Sequence, residues 1–293
     1  MPIRVRKNRD GWYAEVREEL TARDVKRIKK RGIKRVSFNR ERGFTGSLRH
    51  LEELTDIEHL NIVGNVADAG PIGSMPSLRH LQLESHDESV IDFSGLQNLE
   101  TCFLVWRSGS ETLFDCKKLQ CLYLYSYPYS DLAGLSSLEA LTSLEVGPAP
   151  RLRSLGGSNN LLELRKLGVY HAPNLNEIDP LASHTELRHL SFDSCRGLRG
   201  IDPVANCVNI RRLDLVDCGS IQSIEPIRFL NRLEVLFFYG DTTISDGDLS
   251  VLMELESLQF LSFANRRHYS AKCEEFEAYA RLDSATHRQL NPS

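Results

Sequence analysis

Read along the chain, apolar and polar positions repeat one phrase: apolar, two residues, apolar, one residue, apolar. It occurs as Ile33-Val36-Phe38, Ile57-Leu60-Ile62, Leu78-Leu81-Leu83, Leu99-Cys102-Leu104, Leu119-Leu122-Leu124 and Leu141-Leu144-Val146. It continues as Leu164-Leu167-Val169, Leu187-Leu190-Phe192, Ile210-Leu213-Leu215, Leu233-Leu236-Phe238 and Leu258-Leu261-Phe263. The eleven copies start 20 to 25 residues apart. Alternation at the end of each copy is the period of a strand with one face in and one face out. A fixed spacing kept over so much chain predicts a repeat array rather than two separate domains. Units this short have no room for a strand, two turns and a full helix, so the remainder of each is expected to be extended or 3-10.

The array has two dialects. From Leu164 onward the units are longer and more regular, as in Leu187, Leu190, Phe192, Cys195, Leu198, Ile201, Pro203 and Val204. The next unit repeats this with Ile210, Leu213, Leu215, Cys218, Ile221, Ile224, Pro226 and Ile227. Over residues 33–263 the chain resembles the leucine-rich-repeat family, and its Ile-x-Pro-Leu turns, such as Ile178-Asp-Pro-Leu181, resemble the short repeats of internalin-type proteins. The resemblance implies an α/β fold: a right-handed leucine-rich-repeat solenoid with a curved parallel β-sheet on its concave face and an extended or 3-10 convex face. It also implies a protein that binds on its concave face. Unlike internalins, the chain shows no export signal: Met-Pro-Ile-Arg-Val-Arg-Lys is charged and no apolar stretch follows it. No apolar run approaches the ~18 residues that span a bilayer.

A repeat cannot bury its own apolar side alone, so both ends need covering. Residues 1–32 read as a basic cap. Ile3-Arg-Val-Arg and Trp12-Tyr-Ala-Glu-Val16 flank a turn at Asn8–Gly11. Thr21-Ala-Arg-Asp24 starts a helix that Gly32 stops, with Val25 and Ile28 facing the first repeat. Residues 33–265 form the array. Residues 266–293 read as a C-terminal cap and tail, with Cys273, Phe276, Tyr279 and Ala280 at helical spacing.

Charge and cysteine content narrow the setting. The net charge is -4, yet residues 1–40 carry 14 Lys/Arg against 5 Asp/Glu, leaving an acidic body. Seven cysteines, an odd number without a CxxC pair, fit reduced thiols and a cytoplasmic setting. Neither a metal spacing, a phosphate loop nor a nucleophile elbow is present, so no enzyme and no cofactor is expected. His59 and His80 share a column of adjacent strands; a metal pair there lacks a third ligand, and two solvated imidazoles are the plainer reading.

Candidate binding residues lie at outward strand positions. Phe103, Val105, Trp106, Tyr123 and Tyr125 form an aromatic group, with Tyr127 and Tyr129 just beyond and Tyr170 two repeats on. Phe237 and Tyr239 form a second pair, and Glu84, Glu145, Asp193, Asp214 and Asp217 add carboxylates, with Asp241 nearby. Exposed Trp and Tyr are favoured interface anchors, although the same rings stacked across strands also stabilise a sheet. The carboxylates admit two readings as well, an acidic surface for a basic partner or pairs neutralised within the face, as between Arg212 and Asp214. The expected function is a monomeric protein-binding module, an inhibitor, immunity or adaptor protein, that takes a partner with a basic surface. The alternative is nucleic-acid binding through Lys26, Arg27, Lys29, Lys30 and Arg31 of the cap helix, with Lys34 and Arg35 after it.

Overall fold

The computed structural model describes residues 3–9, 11–42, 44, 46–86 and 88–276. The chain divides into two compact units, residues 1–126 with 137–141, and residues 127–136 with 142–293.

The first unit opens with an antiparallel hairpin of β1 (Ile3–Asn8) and β2 (Gly11–Val16), in which Asn8 faces Gly11 across the turn. Gly11 has φ +114, a conformation open to glycine at no steric cost. Helix α1 (Ala22–Lys30) follows, and a Thr21/Asp24 capping box holds its start. Its apolar stripe, Val25 and Ile28, is buried, and Gly32 leaves the helix at φ +59. The hairpin does more than shield the first repeat. Strand β2 pairs in parallel with β3 (Arg35–Asn39), so the cap is hydrogen-bonded into the array. Strands β4 (His59–Val63), β5 (His80–Glu84), β6 (Thr101–Val105) and β7 (Cys121–Tyr125) then follow in chain order.

In the second unit the strands are β8 (Ser143–Val146), β9 (Lys166–Tyr170), β10 (His189–Asp193) and β11 (Arg212–Val216). They are followed by β12 (Ser220–Ile221), β13 (Val235–Tyr239), β14 (Thr243–Ile244) and β15 (Phe260–Phe263). The parallel order is β8-β9-β10-β11-β13-β15, and β12 with β14 makes a separate two-residue pairing. Each expected copy of the phrase supplies one strand, and the register is in line: Leu167 faces Leu190, Leu190 faces Leu213, and Leu213 faces Leu236. In-line register stacks identical inward positions into continuous apolar columns, and these leucines are 0% exposed. Burying each is worth about 1.5–3 kcal/mol, gained only when a neighbouring repeat supplies the other wall.

The return segments are 3-10 turns, as the repeat length requires. Asp179–Ser183, Asp202–Asn206 and Glu225–Phe229 each carry proline in the first turn, Pro180, Pro203 and Pro226, where a missing N–H costs nothing. Beneath the strand ends, short donors satisfy carbonyls of the preceding repeat. Cys195 Sγ points to the Val169 carbonyl at 3.5 Å, Cys218 Sγ to that of Phe192 at 3.3 Å, and Thr242 Oγ1 donates to that of Leu215 at 2.7 Å. In the first unit Arg107 fills the equivalent place and donates to the Ser85 carbonyl.

The expected C-terminal cap falls largely outside the described residues; within them the segment holds a 3-10 turn, Cys273–Glu275. Asn265 fixes it by accepting the Cys273 N–H at 2.8 Å and donating to the Glu274 carboxylate. Phe276 is buried with its ring 6.2 Å from Phe263, while Tyr279 and Ala280 lie outside the described residues. No helix among the described residues is long and apolar enough to cross a membrane.

Candidate functional site

In the first unit the pairing register arranges the outward side chains in columns. One runs Tyr13, Arg35, His59, His80, Thr101, Cys121; its neighbour runs Glu15, Ser37, Asn61, Gln82, Phe103, Tyr123. The second column changes character along its length. It begins with buried Glu15, near Arg6 and Arg17 at 3.6 and 3.3 Å. It passes through an amide ladder in which Asn61 Nδ2 donates to Gln82 Oε1 at 2.6 Å, and it ends in aromatic rings.

Those rings form the most exposed apolar group on this face. Phe103 and Tyr123 stack with centroids 6.0 Å apart, and Tyr125 stands edge-on to His86 at 6.3 Å. The rings stack across strands, and Phe103 and Tyr125 still expose 43% and 40% of their surface. They line an open depression of about 330 Å³ together with Glu84, whose carboxylate accepts from Gln82 Nε2 at 2.5 Å. Two expected members contribute less surface. Val105 lines the depression but is only 9% exposed. Trp106 lies beyond the end of β6, half-buried with its ring 6.1 Å from Phe114 of the following turn. Its backbone N–H donates to the carbonyl of Tyr125 at the end of β7.

Of the two readings of the carboxylates, the outward face of the second unit follows the self-paired one: they are largely matched from within. Glu145 accepts from Lys166 Nζ and from the Tyr170 hydroxyl, each at 2.7 Å. Tyr170 reaches it by folding over Gly168, where a Cβ would come within 2.5 Å of the tyrosine oxygen. Tyr170 is thus a structural prop rather than an open anchor. Asp214 is buried and held by Arg212 Nε at 2.8 Å and His189 Nε2 at 3.1 Å. The Arg212 guanidinium also lies 5.3 Å from the centre of the Phe237 ring, and Phe237 is 1% exposed, so it offers no surface. Tyr239 stands edge-on to Phe237 at 6.3 Å, and burial followed by the charge of Asp214 and Asp193 pushes its hydroxyl pKa up. Asp193 accepts from Ser194 Oγ, Asp217 from the Asp241 N–H, and Asp241 pairs with Arg196 at 2.8 Å.

The tyrosines just past β7 behave as their positions suggest. Tyr127 is buried and donates to the Asp131 carbonyl at 2.9 Å, while Tyr129 keeps 39% exposure. On the return turns of the second unit, Phe229 and Met253 expose 57% and 74%, which the strand pattern gave no reason to single out. Reading columns across consecutive repeats, rather than one repeat at a time, would have exposed the amide ladder; nothing in the local sequence marks Gly168.

The cysteines carry no disulfide, and burial defines their chemistry. Desolvation pushes the Cys116 and Cys207 thiols up to about 12 and raises Cys102 further. Cys195 is raised by its hydrogen bond with Cys218 and then by burial. The His59 and His80 rings stack with centroids 4.2 Å apart and an interplanar angle of 10°. No group of three or more His, Cys, Asp or Glu that could hold a metal occurs among the described residues. At the N-terminal hairpin Trp12 is 47% exposed, with Lys7 Nζ and Arg31 Cζ each 5.9 Å from its ring.

No family model matches this chain, and no curated protein matches it by sequence. Solved structures do. An internalin, InlF from Listeria monocytogenes, superposes with a TM-score of 0.61 at 17% identity, over 80% of this chain and 70% of that one. A TDR receptor gives 0.63 at 16% identity, over 83% of this chain and 45% of that one. The functional domain of InlJ from Listeria monocytogenes, which includes a cysteine ladder, gives 0.53 at 16% identity, over 84% and 58%. The chain thus spans about half the length of the last two. Identities this low establish the fold, a leucine-rich-repeat fold, and nothing further.

Proposed function

We propose that the chain is a non-enzymatic protein-binding module whose recognition surface is the outward face of β6 and β7. One observation carries this reading: Phe103 and Tyr125 stand 43% and 40% exposed on paired strands beside a 330 Å³ depression. Rings fixed on rigid strands lose little side-chain freedom on binding, and aromatic anchors of this kind contribute about 2 kcal/mol or more each. The internal pairing of Glu145, Asp214 and Asp241 changes the partner expected. Glu84, Asp193 and Asp217 are the carboxylates left to attract a basic surface, so apolar contact dominates and charge selects weakly. Unpaired thiols suit a reducing, cytoplasmic setting, in which the module acts as a monomeric inhibitor or adaptor.

The test is affinity capture with the wild-type chain and a Phe103→Ser/Tyr123→Ser/Tyr125→Ser variant of equal thermal stability. Recovery of partners should fall at least ~30-fold, the equivalent of about 2 kcal/mol. Equal recovery by both chains would refute the reading.

Trp12 supports a second reading. An exposed indole flanked by Lys7 and Arg31, beside the exposed Lys26, Lys29 and Lys30 of α1, matches how a single-stranded nucleic acid is held, by stacking and phosphate contacts. Binding of an oligonucleotide that weakens steeply with salt and is lost on Trp12→Ala/Lys30→Ala would favour it.

A further inference from the structure

Three rings, Phe103, Tyr123 and Tyr125, meet one carboxylate, Glu84, in the depression over β5–β7, and no Lys or Arg is among its described lining residues. The strand register explains the meeting. Phe103 faces Gln82 across β5 and β6, and Glu84 leaves β5 two residues further on. At a period of two, the carboxylate therefore emerges on the same side of the sheet as the ring. Phe103 faces Tyr123 in turn, and Tyr125 ends β7 two residues later on that side.

This carboxylate is held in place without being neutralised. Asn61 donates to Gln82, and Gln82 Nε2 donates to Glu84 Oε1 at 2.5 Å, so the amide ladder ends on Glu84. Neutral amides orient one oxygen and leave the negative charge. Glu84 is exposed, and no cation pairs with its carboxylate among the described residues. In that it differs from Glu58, Glu100 and Glu145, which Lys34, Arg79 and Lys166 match at 3.7, 2.6 and 2.7 Å. Across β4 and β5 it faces Val63, which brings no charge. Arg107, past the end of β6, is buried and turned to the Ser85 carbonyl, outside the lining. His86, edge-on to Tyr125, is the remaining basic group of the lining.

An unmatched carboxylate beside exposed rings fits a ligand that joins a flat or apolar body to a positive charge. A guanidinium does both: it lies on an aromatic face, attracted by the ring quadrupole, and offers paired N–H groups to a carboxylate. An ammonium is more strongly hydrated and has no such plane. We propose that this depression takes an arginine side chain of the partner protein, with the guanidinium on the exposed rings and its N–H groups on Glu84. The assignment rests on the protein-binding reading above and names the residue that the aromatic surface selects. A single cation here agrees with a mainly apolar interface, because the methylene stem of an arginine packs on apolar surface while its head stays polar.

The experiment titrates the full chain with N-acetyl-arginine-amide, its neutral analogue N-acetyl-citrulline-amide, and N-acetyl-lysine-amide. Binding is followed by NMR on the ring signals of Tyr123 and Tyr125, at about pH 8, above the range in which imidazoles ordinarily charge. The arginine probe should bind ~5-fold more tightly than the citrulline probe and ~3-fold more tightly than the lysine probe. Glu84→Gln, which keeps an acceptor for Gln82, should abolish the advantage over citrulline while the thermal midpoint stays unchanged. Salt at ~1 M should shrink the same advantage. Arginine and citrulline binding alike, or an advantage that survives Glu84→Gln, would overturn the site; lysine binding as tightly as arginine would overturn the choice of a guanidinium. In affinity capture, partners lost on Phe103→Ser/Tyr123→Ser/Tyr125→Ser but recovered fully by Glu84→Gln would overturn the arginine assignment and leave the protein-binding reading standing. A triple-serine chain that captures partners as wild type does would instead sink that reading, and the arginine titration of the wild-type chain would be unaffected.

Discussion

At the scale of single residues, exposure on this face is decided by what the next repeat brings, and Gly168 is the clearest case. The absence of a Cβ there lets the Tyr170 ring lie across the strand and reach Glu145. Gly168→Ala places a methyl 2.5 to 2.8 Å from that ring, so the ring must leave and the hydroxyl–carboxylate bond breaks. The expected cost is about 1–3 kcal/mol, read as a lowered thermal midpoint. It should largely vanish in a Tyr170→Ala background, where no ring opposes the methyl. The cysteines give a second residue-scale prediction. Cys102, Cys116, Cys195, Cys207 and Cys218 are buried, the first four with raised pKa values, whereas Cys121 and Cys273 are half-buried. Under native conditions a maleimide should label Cys121 and Cys273 well before the other five, as peptide mapping of the labelled chain would show. Early labelling of Cys195 or Cys218 would mean that the packing beneath the turns is looser than described.

At the scale of elements, strand positions, inward columns, proline-led 3-10 turns and both ends of α1 were legible, because each follows from a local rule repeated many times. What sequence could not show was the fate of outward residues. Phe237 and Asp214 occupy outward positions yet are buried, since Arg212 spans from the carboxylate of one to the ring of the other. Trp106 sits one residue past its strand and turns toward Phe114. A period of two says which side of a sheet a residue leaves from, not what folds over it. The turns also hold a pH-sensitive element. His184 follows the turn Asp179–Ser183, is 0% exposed and meets Ser158 Oγ at 3.1 Å; burial keeps its pKa below the usual 6.5. The folded ring stays neutral while the unfolded one protonates as pH drops through 6.5. Stability is therefore level above that pH and lost below it, by up to about 1.4 kcal/mol per pH unit. His184→Gln, which keeps a partner for Ser158, should flatten the fall in thermal midpoint between pH 6.5 and 5; an unchanged slope would contradict this account.

At the scale of the whole molecule, the repeats act as a frame that repeats its interior and varies its exterior. The inward positions are interchangeable leucines, isoleucines and phenylalanines, whereas the outward columns are basic and amide-rich over β3–β5, aromatic over β6 and β7, and self-paired from β8 onward. The proposed recognition surface is the aromatic stretch, where Phe103 and Tyr125 stay exposed. The most direct measurement places a photo-crosslinking benzoylphenylalanine at Tyr125, and in a second chain at Phe229, which is at least as exposed but sits on a return turn. Both chains are irradiated in lysate from cells that produce the protein. A discrete crosslinked product from position 125 and none from position 229 is the predicted result. The same product from position 229, with nothing from position 125, would contradict the assignment of binding to the strand face.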